Sequence, residues 1–276
     1  MPTPAGSWSA TPPDETGEAA VRPPGGLEWW PSSAEALDRL QVRLAELADA
    51  ATPWRPSRTP RVGAVFVAFS TGRARRSTDP ERAWAAAVAP AAGAQERAVM
   101  SGSVDAGYDP GHLALREGRL LERAVRSLST LPEVLLVNAT GRDHPRRAGL
   151  ALHLGAVLDV PTVGVTDRPL VASGERPGGR RGDRSPLVLW GEVVGSIVRV
   201  RRGARPVCVH AAWRTDPEVA LEVVAHVTGR ARTPEPLRTA RTLARSVRAR
   251  DEGRLPPGVP SSRPARASRM IRGEGP

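Results

Sequence analysis

A single glutamate, Glu117, stands where an apolar side chain is expected. The helix predicted over residues 111–129 carries an apolar stripe, with its members three and four residues apart, made of Leu113, Leu120, Leu121, Ala124 and Leu128. Glu117 follows Leu113 by four residues and precedes Leu120 by three, so its carboxylate falls on this stripe. An unpaired carboxylate there costs several kcal/mol or takes up a proton. Glu117 therefore needs a metal, an arginine or a hydrogen-bond donor, unless it lies at the wet end of the stripe in an ion pair.

A second group of polar and glycine residues follows the strand predicted over 133–138. The group leads into a helix predicted over 146–158, and it contains Asn138, Gly141, His144, Arg146, Arg147 and Gly149. A glycine-containing turn that directs backbone N–H groups towards the start of a helix suits a phosphate or the edge of a base. His144 suits a general base or a phosphate contact, because imidazole titrates near neutral pH. It equally suits a histidine that is hydrogen bonded to backbone where the helix begins.

The elements that must position these residues follow from hydrophobic periodicity. A helix over 32–50, with Ser33 as its N-cap, precedes a continuous apolar run over 62–69 that is typical of a strand buried on both faces. The following elements are predicted as strands at 83–89, 97–103, 133–138 and 161–165, and as helices at 111–129 and 146–158. A strand, a helix and a strand in close succession favour parallel pairing of the two strands.

The last third of the chain is predicted to add antiparallel strands and two helices. The apolar runs at 186–200 and 206–210 are expected to pair with a turn at Arg202 and Gly203. Helices are predicted over 216–228 and 236–249.

Composition defines the predicted tails and the compartment. Residues 1–27 and 251–276 are predicted to be disordered, on either side of one domain over 28–250. The formal net charge is +11, of which residues 229–276 carry +8, so this region suits nonspecific phosphate binding or a solvated basic tail. The lone cysteine, Cys208, excludes an intramolecular disulfide and fits a reducing cytosol. The sequence has no apolar run of about 20 residues and no apolar segment typical of a signal peptide, so we expect a cytoplasmic protein that does not enter membranes. We also expect it to be a monomer.

The order of these motifs resembles that of the endonuclease V family, metal-dependent nucleases that nick nucleic acid near a deaminated base. The segment over 107–118 resembles the family's Tyr-x-Pro wedge and catalytic glutamate. The resemblance implies that Tyr108 and Pro110 form a wedge in the nucleic acid, and that Glu117 is a catalytic ligand of Mg²⁺. It spans roughly residues 30–250 and implies an α/β, ribonuclease H-like fold, a mixed central sheet flanked by helices.

The segment over 138–149 resembles the family's next motif through its His-Pro-Arg-Arg run. The resemblance places Asn138 and His144 in the catalytic site. It also implies contacts to DNA or RNA, including the pocket for the flipped base, at Leu113, Gly141, Arg146, Arg147 and Gly149.

The sequence departs from the family pattern at the residues that perform catalysis. Phe66 and Asn138 stand in place of two metal-binding aspartates, Asp167 in place of a lysine and Trp213 in place of a histidine. Mg²⁺ prefers charged carboxylate oxygens. Each lost carboxylate removes on the order of 4 kcal/mol of attraction for a divalent ion at an effective dielectric constant near 20.

Three hypotheses follow. The first is an endonuclease V-like protein that engages nucleic acid, at deaminated bases such as inosine, with metal-dependent hydrolysis weakened or lost. The second is a non-enzymatic nucleic-acid-binding or scaffold protein, which an apolar plug around Phe66 and Trp213 would favour. The third is an active endonuclease with a metal site rebuilt from Asp109, Asp143 or Asp167.

Overall fold

The structure is a computed structural model that describes residues 26–71, 81–104 and 107–254. A mixed sheet of eight strands lies at the centre of this part of the chain. The strands are β1 Val62–Phe69, β2 Glu81–Ala91, β3 Ala94–Val104, β4 Val134–Val137, β5 Thr162–Thr166, β6 Arg184–Leu189, β7 Glu192–Val198 and β8 Val207–Ala211. Their order across the sheet is β3-β2-β1-β4-β5-β8-β7-β6. The predicted mixed sheet is confirmed.

Helices cover both faces of this sheet. The first face packs against α1 Ala34–Ala50, α2 Arg119–Arg126 and α3 Leu150–Leu158, and the second against α4 Pro217–His226 and α5 Glu235–Asp251. Each face has its own apolar cluster, because alternate residues of a buried strand point to opposite sides. Leu135 and Val137 of β4 belong to the first cluster, whereas Val134 and Leu136 belong to the second.

The three parallel strands β1, β4 and β5 end at one edge of the sheet, here called the carboxyl edge. The predicted parallel pairing of β4 with β5 is confirmed, and β1 pairs in parallel with β4, with Val65 opposite Val137. Strand β8 runs antiparallel to β5 and therefore ends at the opposite edge. Side chains that follow β1, β4 and β5 are thus the ones that the topology gathers together.

The helix predicted over 111–129 is shorter and less regular than its periodicity indicated. It begins as a π-helical turn, Ala114–Gly118, and continues as α2 to Arg126. Gly118 packs so closely on Trp30 that an added Cβ would lie 1.9 Å from the indole ring. Glu117 is one of the five residues of this π-helical turn. Turns of this kind are common at functional sites.

Two other boundaries were wrong. The helix predicted from 146 begins at Leu150, because Arg147 has a φ of 57°, which a right-handed helix does not permit. The strand predicted over 186–200 is a hairpin that turns at Trp190 and Gly191, with φ values of 52° and 87°. Tryptophan hides this turn in the sequence, since Asn-Gly is its usual signal.

Most of the two predicted disordered tails lies outside the described residues, and α5 ends at Asp251. Within the described ranges, none of the helices is both long and apolar enough to cross a bilayer.

Candidate functional site

The Glu117 carboxyl group is largely buried and, among the described residues, is in no hydrogen bond or ion pair. Solvent reaches part of the side chain. Burial raises the pKa of Glu117 to about 7, and the neighbouring Arg116 lowers it only in part. The Arg116 guanidinium instead binds Glu81 at 2.5 Å and lies 4.1 Å from the centre of the Phe69 ring. Glu117 is thus a carboxyl group that exchanges a proton near neutral pH.

Phe66 and Asn138 are neighbours at the carboxyl edge. Because Val65 pairs with Val137, the next residues along the two strands are Phe66 and Asn138. Phe66 is 8% exposed in the cluster of the second face, whereas Asn138 is exposed just beyond β4. The guanidinium carbons of Arg241 and Arg245 lie 5.3 and 5.7 Å from the centre of the Phe66 ring. An aromatic ring, an amide and two cations therefore occupy the part of the edge where the family pattern has two acids.

The aspartates that the third hypothesis assigns to a rebuilt metal site have other partners. Asp143 is fully buried and accepts three backbone N–H bonds from residues 170–172, at 2.7 to 2.8 Å. Asp167 is 72% exposed and binds Arg232 at 2.7 Å. Asp109 accepts from the Gly111 N–H and contacts His112. In the described ranges, no three His, Cys, Asp or Glu residues are grouped as metal ligands.

These residues do not fit Mg²⁺. Glu117 has the oxygen ligands that the ion prefers, but Phe66 supplies none and Asn138 supplies only a neutral one. Arg241 and Arg245 over the Phe66 ring would also repel a divalent cation. The third hypothesis, a rebuilt metal site, is therefore not supported by the arrangement of the described residues.

A hydrogen-bonded group, here called the loop clamp, fixes the segment that carries the expected wedge. It consists of Asp38, Gln41, Asp109, His112 and Arg146. The imidazole of His112 lies between Asp109 and Asp38, with both N···O distances 2.7 Å. Arg146 binds Asp38 at 2.5 Å and Gln41 at 2.7 Å. The loop clamp thereby ties the wedge segment and the His-Pro-Arg-Arg run to α1.

His144 is a structural member of this region. It is 1% exposed, and its Nε2 lies 3.0 Å from the Gly111 carbonyl oxygen, to which it donates. Its Nδ1 accepts from the Arg146 backbone N–H at 3.2 Å. Burial lowers the pKa of His144 to about 4, although the bond to Gly111 opposes this shift. The geometry agrees with the histidine bonded to backbone rather than with a general base.

The two arginines of the run are both held in ion pairs. Arg147 makes two contacts with the Glu192 carboxylate, one of them 2.9 Å, and lies 3.6 Å from Asp49. Arg146 belongs to the loop clamp. Because both guanidiniums are bound to side chains of the protein, neither is free to bind a phosphate in this arrangement. Both arginines hold the segment over 138–149 in place.

The remaining residues expected to contact nucleic acid divide into exposed side chains and packed positions. Tyr108 is 71% exposed and Pro110 is exposed beside it, whereas Leu113 packs against the apolar cluster of the first face. An added Cβ at Gly141 would lie 2.1 Å from the Ala211 carbonyl oxygen, and one at Gly149 would lie 2.4 Å from that of Thr140. Both glycines are therefore required for close packing of backbone on backbone.

Trp213 does not join Phe66 in a plug. It follows β8, and its carbonyl oxygen accepts from the N–H of Thr162 at the start of β5, so it lies away from the carboxyl edge. Its cluster is that of the first face, whereas Phe66 belongs to the second. The apolar plug that would favour a scaffold protein is absent from the described residues.

Comparison with known proteins assigns the chain to a family. The Endonuclease V family model matches residues 46–242, most of the described structure. The chain belongs to the Endonuclease V family. Over 158 residues it is 45% identical to the Endonuclease V of Methanopyrus kandleri, which covers 57% of this chain and 68% of that protein.

Solved structures of Endonuclease V share the fold. The crystal structure of the Streptomyces avermitilis protein matches with a TM-score of 0.71 at 33% identity, covering 86% of this chain and all of that one. The Ciona intestinalis Endonuclease V, in complex with a 24mer DNA containing an inosine followed by a ribo-adenosine, matches with a TM-score of 0.64 at 20% identity, covering 79% of this chain and 99% of that one. The fold is thus ribonuclease H-like, as the resemblance implied.

Sequence reasoning missed five residues that shape this region: Asp38, Gln41, His112, Arg241 and Arg245. Each of them has a partner 70 to 180 positions away in the sequence, and Arg241 and Arg245 lie in the predicted basic region. The sequence contains one signal for them, a pair of arginines four residues apart on the last helix, which is hard to tell apart from general basic charge.

Proposed function

We propose that this Endonuclease V relative binds DNA or RNA that contains a deaminated base such as inosine, and hydrolyses the phosphodiester weakly or not at all. The observation that carries this proposal is Phe66, buried at the carboxyl edge under two arginines and next in register to Asn138. Family membership supports nucleic acid as the partner, and the inosine-containing DNA bound by the Ciona protein supports the kind of base.

The charges at this edge support the proposal that hydrolysis is weakened or lost. Metal-assisted hydrolysis needs a cation that activates water and offsets the charge that develops on the phosphate. Glu117 is the one family acid that this chain keeps among its metal-binding positions, and with a pKa near 7 it is about half neutral at neutral pH. A single carboxyl group can exchange a proton with water, but it cannot replace a bound divalent ion.

Binding is expected to survive because the chain keeps the two exposed residues of the expected wedge. Tyr108 and Pro110 remain exposed on a segment that the loop clamp holds in place. An exposed aromatic ring of this kind can stack on a base or insert between two bases. We propose that Leu113, Gly141 and Gly149 line the base pocket, while Arg146 and Arg147 hold its rim. The protein is expected to act as a monomer in the cytoplasm.

The test is incubation of the purified protein with labelled oligonucleotides, single- and double-stranded, with and without one inosine. Each is incubated with Mg²⁺, Mn²⁺ or EDTA, and both cleavage and mobility shift are scored. We expect a shift that favours inosine, persists in EDTA and is accompanied by little or no nicking.

Glu117→Ala is the control for contaminating nuclease, because nicking by a contaminant persists in that variant. Metal-dependent nicking that Glu117→Ala abolishes would show that hydrolysis has been retained. Equal binding of inosine-containing and normal strands would instead support the non-enzymatic scaffold hypothesis and end the proposal of base recognition.

A further inference from the structure

We propose that Arg241 and Arg245 form a phosphate-binding site that acts without metal, in which the two guanidiniums over Phe66 hold one phosphate of the nucleic-acid backbone. This inference rests on the proposed function, since the phosphate belongs to the bound strand. In this proposal, the positive charge that binds the phosphate at the carboxyl edge comes from arginine side chains and not from a divalent ion.

The first support is that two like charges lie close together and, among the described residues, neither is in an ion pair. Arg241 and Arg245 lie four residues apart on α5, a spacing at which like charges destabilise a helix. Among the described residues, neither forms an ion pair or hydrogen bond, and the Nε of Arg241 is buried without a partner. By contrast, Arg238 on the same helix binds Glu235. An anion that bridges the two guanidiniums would remove this repulsion.

The second support is the surface beneath them. Both guanidiniums lie within 6 Å of the Phe66 ring, the range in which a cation is attracted to an aromatic face. The ring restrains the two side chains, and one edge of Arg241 faces away from bulk water. Guanidinium donors match the oxygens of a phosphate in pairs, which favours phosphate over a point-like anion.

The third support is the position of the pair. Phe66 is next in register to the exposed Asn138, at the edge where β1, β4 and β5 end. Desolvation lowers the pKa of Arg241, as does the charge of Arg245, and Asp167 opposes both. Asp167 follows β5 and is itself bound to Arg232, so it offsets the pair only partly. A strand that passes Asn138 would therefore meet a net positive site.

The experiment measures binding of a labelled inosine-containing oligonucleotide by fluorescence anisotropy, in EDTA, over a series of salt concentrations. Arg241→Gln and Arg245→Gln are each expected to weaken binding roughly tenfold and to reduce the slope of log affinity against log salt by roughly 0.7 to 0.9. Arg238→Gln is the matched control, with the same charge change on the same helix but an arginine already paired with Glu235. It should leave both quantities near those of the unmodified protein.

Inorganic phosphate titrated alone, by calorimetry, separates the two possible sources of the ligand. Phosphate binding at low millimolar concentration that is lost in both arginine variants, while their oligonucleotide affinity and salt slope stay unchanged, would show a site for free phosphate and overturn the assignment to a strand. Arg245 is exposed, so its variant is expected to fold even if Arg241→Gln does not. Unchanged affinity and slope for Arg245→Gln, with intact inosine binding, would overturn this inference alone. Absence of oligonucleotide binding by the unmodified protein would instead overturn the proposed function and this inference with it.

Discussion

Single residues at the carboxyl edge decide whether this site can hold a metal. Phe66 and Asn138 carry no charge, whereas Arg241 and Arg245 bring two positive charges close to the Phe66 ring. These four residues together therefore give this part of the edge a positive charge. The same fold can therefore present a phosphate with guanidinium groups in place of a divalent ion.

Glu117 provides a prediction at this scale. Burial raises its pKa from an ordinary 4.5 to about 7, so the folded protein binds this proton more tightly than the unfolded chain does. The contribution of Glu117 to stability therefore falls as pH rises from about 4.5 to 7. We expect Glu117→Gln to be more stable than the unmodified protein at pH 8 by about 1–3 kcal/mol, and similar to it near pH 4.5.

Urea unfolding of both proteins at the two pH values measures this difference. Glu218→Gln is the control, since it removes an exposed carboxylate that is paired with Arg184 and should change stability little at either pH. A difference between Glu117→Gln and the unmodified protein that does not depend on pH would contradict the raised pKa.

Among the elements, the loop clamp connects α1, the wedge segment and the His-Pro-Arg-Arg run. Burial lowers the pKa of His112, but its hydrogen bonds to Asp109 and Asp38 outweigh that effect and raise it. The protonated imidazole then strengthens its contacts with both carboxylates. This contribution to stability is full below the ordinary pKa of 6.5 and is lost as pH rises through the raised value. The loop should therefore be held most firmly in mildly acidic solution.

Removal of Arg146 should loosen this segment. Arg146→Gln loses the ion pair with Asp38, and we expect it to lower stability by about 1 kcal/mol and to speed amide hydrogen exchange within residues 107–118. Exchange followed by mass spectrometry measures the second effect. Arg43→Gln, which removes an exposed pair with Glu46 on α1, should leave the segment unchanged. Equal exchange in both variants would mean that the wedge segment does not depend on the clamp.

At the scale of the whole molecule, charge is distributed unevenly along the chain. Residues 255–276 hold four arginines and one acid, beyond the last described residue. Deletion of this segment is expected to weaken binding of inosine-containing and normal oligonucleotides alike, because phosphate contacts carry no base information. The ratio of the two affinities should stay within about twofold. A selective loss of inosine binding, measured by anisotropy at fixed salt, would show that the segment helps to read the base.

The sequence by itself determined the family and most of the secondary-structure elements, although it merged β6 and β7 into one strand. Apolar periodicity is a local property, so the strand over 62–69 and the parallel β4 and β5 could be inferred without any tertiary contact. Glu117 was likewise identified from its own helix.

Only the tertiary structure decided what surrounds these residues. The guanidiniums over Phe66 come from a helix about 175 positions later, and the partners of Arg146 come from one about 105 positions earlier. His144 was ambiguous in the sequence because its role depends on the Gly111 carbonyl, which folding brings within 3.0 Å. Such contacts leave no periodic signal, since each joins single side chains from separate elements. The charge of the site therefore emerges only when the sheet and α5 come together.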